Sequence, residues 1–290
     1  MVRSTWRGAA YLSLAASIWG GMFVMVRVAT SVISPVPLVW LRYLTAAVAI
    51  FLFGVARGVS WHVSAKDWRL IFLIGLMGQT ISIVTQETGT MMTSAQMGSI
   101  ITAATPAFMV IFARLILHEA LTPGRILSVA LATAGVLAIV AGPGEVEMGS
   151  FWGSLSLVVA ALTWALMSIL LKKLPQYPTV TVTFYGVLVA LALLAPPSLW
   201  WLASADREAI FAAPILLSVL YLGIVSTFGG FCLWNMGLRE MDATVSGLFF
   251  FFQPVVGTLL GWLFLGEAVT PWFFLGSALI AAGVLLAMRP

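Results

Sequence analysis

The chain runs as long apolar stretches separated by short breaks of proline, glycine and charge. A helix needs roughly 20 apolar residues to cross a bilayer. Stretches of that kind lie at 9–30, 36–56, 69–88, 95–116, 124–141, 151–171, 179–200, 212–237, 244–265 and 272–288. The gaps carry stop signals, among them Ser34-Pro35-Val36-Pro37, Thr122-Pro123-Gly124, Gly142-Pro143-Gly144, Pro175-Gln176-Tyr177-Pro178 and Thr270-Pro271. Thr122 and Thr270 read as N-caps with proline at the first helical position. Period-two alternation is missing, which argues against a β-barrel. The pattern predicts an all-α polytopic membrane protein of ten transmembrane helices. Its short loops leave no room for a soluble catalytic or nucleotide-binding domain.

Composition makes the solvent explicit. Of 290 residues, 61% are hydrophobic and 8% charged, against about 25% charged in a soluble domain. The net charge of +4 is scattered singly and forms no basic stripe, so nucleic acid is not an expected partner. The single cysteine, Cys232, excludes an intramolecular disulfide and reads as a small buried hydrophobe. Met1 to Arg7 resembles the start of a signal peptide, but the apolar stretch from Gly8 to Thr30 is too long for one. It reads as a retained first helix.

Charge sets the expected orientation. With the N-terminus cytoplasmic, the inner segments hold Arg3, Arg7, Arg57, Lys66, Arg69, Arg114, Arg125, Lys172, Lys173, Arg239 and Arg289. The outer ones hold Arg207, Glu145 and Glu147, with Arg27 near an outer helix end. Both termini are therefore expected inside.

The chain also repeats. At a shift of 148, Glu119-Ala120-Leu121-Thr122-Pro123 falls on Glu267-Ala268-Val269-Thr270-Pro271, and Pro106 on Pro254. Thirteen of the twenty-three positions from Leu115 to Leu137 are identical at that shift. At a slightly smaller one, Trp19 falls on Trp164. The reading is two five-helix repeats, 1–142 and 149–290. Five is odd, so the second enters the membrane from the opposite side. Inverted repeats characterise secondary transporters, with the substrate site near the midplane between the halves.

On the ten-helix layout, the duplicated Pro-x12-Glu-x2-Thr-Pro pattern, Trp19-Gly20 and Leu41-Arg42-Tyr43, the whole chain resembles the EamA-type transporters of the drug/metabolite transporter superfamily. It looks most like bacterial inner-membrane exporters of aromatic amino acids. The resemblance implies export of amino acids or related metabolites by alternating access. The alternative it leaves open is expulsion of cationic or aromatic drugs such as viologens. It further implies that the helices at 124–141 and 272–288 pack on each other within one chain, where small relatives use their last helix to dimerise.

Candidate residues follow from polar groups at membrane depth. Gln79, Ser82 and Gln86, with Gly75, share one helical face. The repeat sets Thr227 and Trp234, with Gly223 and Gly230, on the matching face. These faces line a cavity or pack helices through small residues and amides. Pro106 and Pro254 free the carbonyls of Thr102 and Phe250, as hinges, ligand-facing carbonyls or static bends. Gln96 and Ser99 precede the first proline. Phe249 to Phe252 and Gln253 precede the second, with one phenylalanine, such as Phe250, expected toward the pore and others toward lipid. Trp19 and Trp164 lie deeper than interface anchors, so cavity lining is an equal reading. Arg42, deep in its helix, is expected to meet Glu87 or, alternatively, a substrate carboxylate. Glu119 and Glu267 fit helix capping better than proton coupling.

No cofactor or metal is expected, and the partners expected are a small-molecule substrate and lipid, with the protein a monomer. A membrane-embedded enzyme is the rival class. The chain has no His-Glu-x-x-His, no Gly-x-Ser-x-Gly and no P-loop, and His62 and His118 fall in or beside inner loops.

Overall fold

The computed structural model describes residues 2–141, 151–265 and 271–287. Every regular element among them is helical. Eight helical runs are long and apolar enough to cross a membrane. They are α1 (Val2–Ala29), α2 (Pro35–Ala56), α3 (Ala65–Met92), α4 (Met97–Leu117), α6 (Phe151–Leu171), α7 (Thr179–Ser204), α8 (Ala213–Glu240) and α9 (Ala243–Phe264). α5 (Pro123–Ala141) and α10 (Pro271–Ala287) are two further apolar helices. Glu145, Glu147, Glu267, Thr270, Arg289 and the side chains of Arg3, Gln96 and Arg125 lie outside the described residues.

The expected breaks end the helices for local reasons. Pro35 opens α2 after Ser34 in extended conformation, and Ser94 Oγ caps α4 by accepting from Met97 N (3.0 Å). α4 stops at His118, whose φ of 57° closes the last turn. Four helices are irregular inside, among them α4, which breaks after Thr102 and widens over Ala113–Leu117. α3 over Gly75–Ser82 and α8 over Tyr221–Gly230 widen to i→i+5 bonding. Thr80 Oγ1 donates to Gly75 O (3.0 Å) and Thr227 Oγ1 to Leu222 O (2.7 Å), each five residues back. In α9 the turn tightens over Leu248–Phe251, just before Pro254.

Polarity is distributed inside out. Trp152, Trp200, Phe264 and Phe274 are exposed, whereas Arg42, Glu87, Gln79, Ser226, Thr227 and Gln253 are buried. Lipid accepts the first group, and the helices pair to satisfy the second. α1 packs on α8 and α9, α3 and α4 on α6, α2 on α7 and α8, and α5 on α10. At the α5–α10 contact a Cβ on Gly135 would stand 2.6 Å from Gly276 O, so only glycine allows that approach.

The four consecutive phenylalanines do not divide between pore and lipid. Phe249, Phe250 and Phe251 are buried and Phe252 is half-buried. The tightened turn before Pro254 and the packing of α9 against α1 and α4 keep all four inside the bundle.

Candidate functional site

α1, α3, α4, α6, α8 and α9 surround a narrow central cavity with room for about one water molecule in this conformation. Residues before the 142–150 connection supply Trp19, Met22, Ser82, Ile83, Gln86, Thr102 and Thr105, and those after it supply Ala160, Ala161, Trp164, Phe231, Phe250 and Gln253.

One wall is aromatic and centres on Trp19. Its ring lies 5.1 Å from Trp164 edge-on, 5.7 Å from Phe250 stacked, and 6.0 Å from Phe231. Trp164 and Phe231 meet at 4.9 Å. Trp19 is oriented by its indole, which donates to Ser226 O (3.0 Å). Gly230 admits the ring: a Cβ there would sit 2.5 Å from Trp19 Nε1.

The other wall is polar but mostly self-satisfied. Ser82 Oγ donates to Ala160 O (2.9 Å), Thr102 Oγ1 to Gly98 O (2.7 Å), and Thr105 Oγ1 to Thr102 O (2.6 Å). The last bond takes up the carbonyl that Pro106 leaves without a backbone donor. Two groups remain. Gln86 Oε1 and Trp164 Nε1 are buried without hydrogen-bond partners among the described residues, and an unsatisfied buried group costs about 1–3 kcal/mol. An acceptor and a donor thus face one apolar space whose lining holds no ionised side chain.

Four predicted positions fall behind this lining. Gln79 is buried in the contact of α3 with α7, where Gly186 faces its amide group. Thr227 accepts from Arg42 Nε (3.1 Å). Trp234 donates to Ser168 Oγ (3.2 Å) and supports Phe250 from behind, with ring centres 4.5 Å apart. Ser99 packs beside Gly257. For the positions on α3 and α8 the reason is the widened turns: i→i+5 bonding advances each residue through a smaller angle, so an even 3.6-residue face drifts. Pro106 and Pro254 are buried near the cavity but do not line it. Met22, Thr102, Thr105, Ala160 and Phe231 do line it and carry weak sequence signals. Met22 follows Trp19 by one helical turn, and the two threonines flank the break before Pro106.

Arg42 has no exposed surface and meets Glu87, also fully buried, at 2.7 Å. Its Nη2 also donates to Ser226 Oγ (3.3 Å) and Met22 Sδ (3.6 Å). Gly223 makes this possible, because a Cβ there would strike Thr45 Oγ1 at 1.8 Å and hold α8 away from α2.

One end of the bundle is closed by polar contacts. Tyr177 Oη donates to Asp67 Oδ2 (2.6 Å) and accepts from Ser64 N (3.1 Å), while Arg239 Nη2 donates to Tyr177 O. Glu119 caps α9, accepting from Ala243 N (2.9 Å), Thr244 N (3.2 Å) and Thr244 Oγ1 (3.0 Å). Lys172 Nζ donates to Met241 O (2.6 Å) at the same turn.

Known proteins resemble the chain, two of them over 96% of its length. An uncharacterized transporter of Archaeoglobus fulgidus is 25% identical over 279 residues, covering 96% of this chain and 97% of its own. A probable terminal-alkyne amino-acid exporter of Streptantibioticus cattleyicolor is 27% identical over 282 residues, covering 96% and 92%. A putative permease-like protein of Bacillus subtilis is 59% identical over 70 residues, 24% of this chain and 90% of its own. A crystal structure shares the fold with a TM-score of 0.79 at 20% identity, over 99% of this chain and 96% of that one. The model of the EamA-like transporter family matches residues 6–141 and 151–289. The chain belongs to the EamA-like transporter family, as a multi-pass membrane transporter.

Proposed function

We propose that the protein is a secondary transporter that exports aromatic and other apolar amino acids, or related small metabolites, across the bacterial inner membrane. It works by alternating access through the central cavity, between two inverted five-helix halves at 1–142 and 149–290, as a monomer with both termini in the cytoplasm. Trp19, Ser82, Gln86, Trp164, Phe250 and Gln253 contact the solute. The observation that carries the substrate class is the cavity: an aromatic wall facing two amides, with an unpaired donor and acceptor and no lining charge. Such a site suits a solute with an apolar ring and polar groups at one end. The amino-acid exporter among the relatives supports the same class. The inverted arrangement is supported by packing, since α1 meets α8 and α9 as α6 meets α3 and α4. A cationic drug is the less suited cargo, because no carboxylate lines the space to neutralise it.

The test is counterflow in proteoliposomes across the proteinogenic amino acids and methyl viologen. Exchange of labelled phenylalanine, tryptophan or leucine is expected. Exchange of viologen with none of the amino acids sinks the reading.

A further inference from the structure

Arg42 and Glu87 form an ion pair with no exposed side-chain surface. Taking two charges out of water is expensive, and an apolar pair of the same volume holds helices together as well or better. Stability alone therefore gives no reason for the pair.

Its location gives one. The pair stands one layer behind the cavity wall. Glu87 follows Gln86, which lines the cavity. Met22 joins the two regions directly: it lines the cavity, and its sulfur accepts from Arg42 Nη2 (3.6 Å) and Ser226 Oγ (3.1 Å). A methionine side chain is unbranched and rotates easily, and this one lies between the pair and the cavity. Both charges hold capacity in reserve. Arg42 reaches Glu87 through Nη1, whereas Nε and Nη2 have only hydroxyls and the thioether, all neutral. Glu87 Oε2 is buried and has no hydrogen-bond partner among the described residues.

We propose that Arg42 and Glu87 are the recognition site for a zwitterionic head group. The solute's carboxylate replaces the Met22 sulfur on Arg42, its ammonium binds Glu87 Oε2, and its side chain occupies the aromatic cavity. The inference rests on the amino-acid reading above and names the residues that would enforce it. A guanidinium takes a carboxylate in a two-point geometry. One buried pair becomes two, the net charge of the site stays zero, and no proton has to move. A lone cation or lone anion leaves one member of the pair facing a like charge or nothing. Ser226 and Thr227 lie in the widened turn of α8, the kind of irregular turn that re-forms easily, so they can release Arg42 as the solute arrives.

The experiment compares phenylalanine, N-acetylphenylalanine and phenylalaninamide on the full chain. Flux is read in proteoliposomes, and binding is read as the rise in melting temperature in detergent. Each lost charge removes a charge-assisted contact, so the wild type is expected to prefer phenylalanine to either analogue by roughly tenfold or more. The double variant Arg42→Met with Glu87→Leu replaces the pair by apolar groups of like volume. Its preference for phenylalanine should fall to within about twofold, and phenylalanine should no longer raise its melting temperature. If that variant does not fold, Glu87→Gln serves instead and should lose discrimination against the N-acetyl form while keeping it against the amide. A charge-neutral variant that retains the wild-type preference or melting shift overturns the proposal and leaves the transporter reading intact. A wild type that moves phenylalaninamide or viologen but not phenylalanine overturns the amino-acid reading, and this proposal with it.

Discussion

Gln79 and Gln86 stand two turns apart on α3 and have unequal surroundings. Both amide oxygens lack partners among the described residues, but Gln86 lines the cavity whereas Gln79 is wedged toward Gly186 on α7. Gln86→Leu removes a polar contact to solute worth about 1 kcal/mol and should lower flux several-fold in proteoliposomes with the fold intact. Gln79→Leu should leave the KM within about twofold and alter the melting temperature instead. Equal transport loss in both variants would contradict this division. The amides, both cavity tryptophans and the Arg42–Glu87 pairing are legible in the sequence as polar or bulky groups at membrane depth. Which amide faces the space is not. That depends on the widened turn at Gly75–Ser82, and no residue type in Gly-Leu-Met-Gly-Gln-Thr-Ile-Ser encodes i→i+5 bonding.

At the scale of elements, the most specific device is a helix cap supplied from another helix end. Glu119 satisfies two of the free amides at the start of α9 and the Thr244 hydroxyl, where the positive end of the helix dipole favours a carboxylate. Glu119→Ala should cost about 1–2 kcal/mol, read as a lower melting temperature in detergent, and Glu119→Gln should recover part of it. The sequence motif Glu-x2-Thr-Pro marks the position and suggests capping. It cannot reveal that the capped helix lies 124 residues downstream. The helix boundaries themselves were readable from apolar length and from proline, because both act locally. The tightened turn before Pro254 was not, since it follows from packing α9 against α1 and α4.

Over the whole molecule, polar contacts of Asp67, Tyr177, Arg239 and Lys172 close one end of the bundle. These contacts tie the α2–α3 connection to the α6–α7 connection and to the α8–α9 turn. Tyr177→Phe removes the phenolic bonds to Asp67 and Ser64 and should loosen that closure. With Cys232 replaced by serine and a cysteine at position 86, a membrane-impermeant thiol reagent applied to the Asp67 side should label the Tyr177→Phe protein faster than its parent. Equal labelling rates would assign the closure to apolar packing. The Arg42 contacts carry a different consequence, for biogenesis. Arg42 and Glu87 are only 45 residues apart, whereas Thr227 lies 185 residues beyond Arg42. During synthesis the guanidinium therefore meets its counter-charge long before it meets its hydroxyl partners. A lone arginine at the bilayer centre costs about 2.5–3.5 kcal/mol to insert. The early-made helices can instead enter lipid as an electrically neutral unit, and the later ones need only dock onto a charge already balanced.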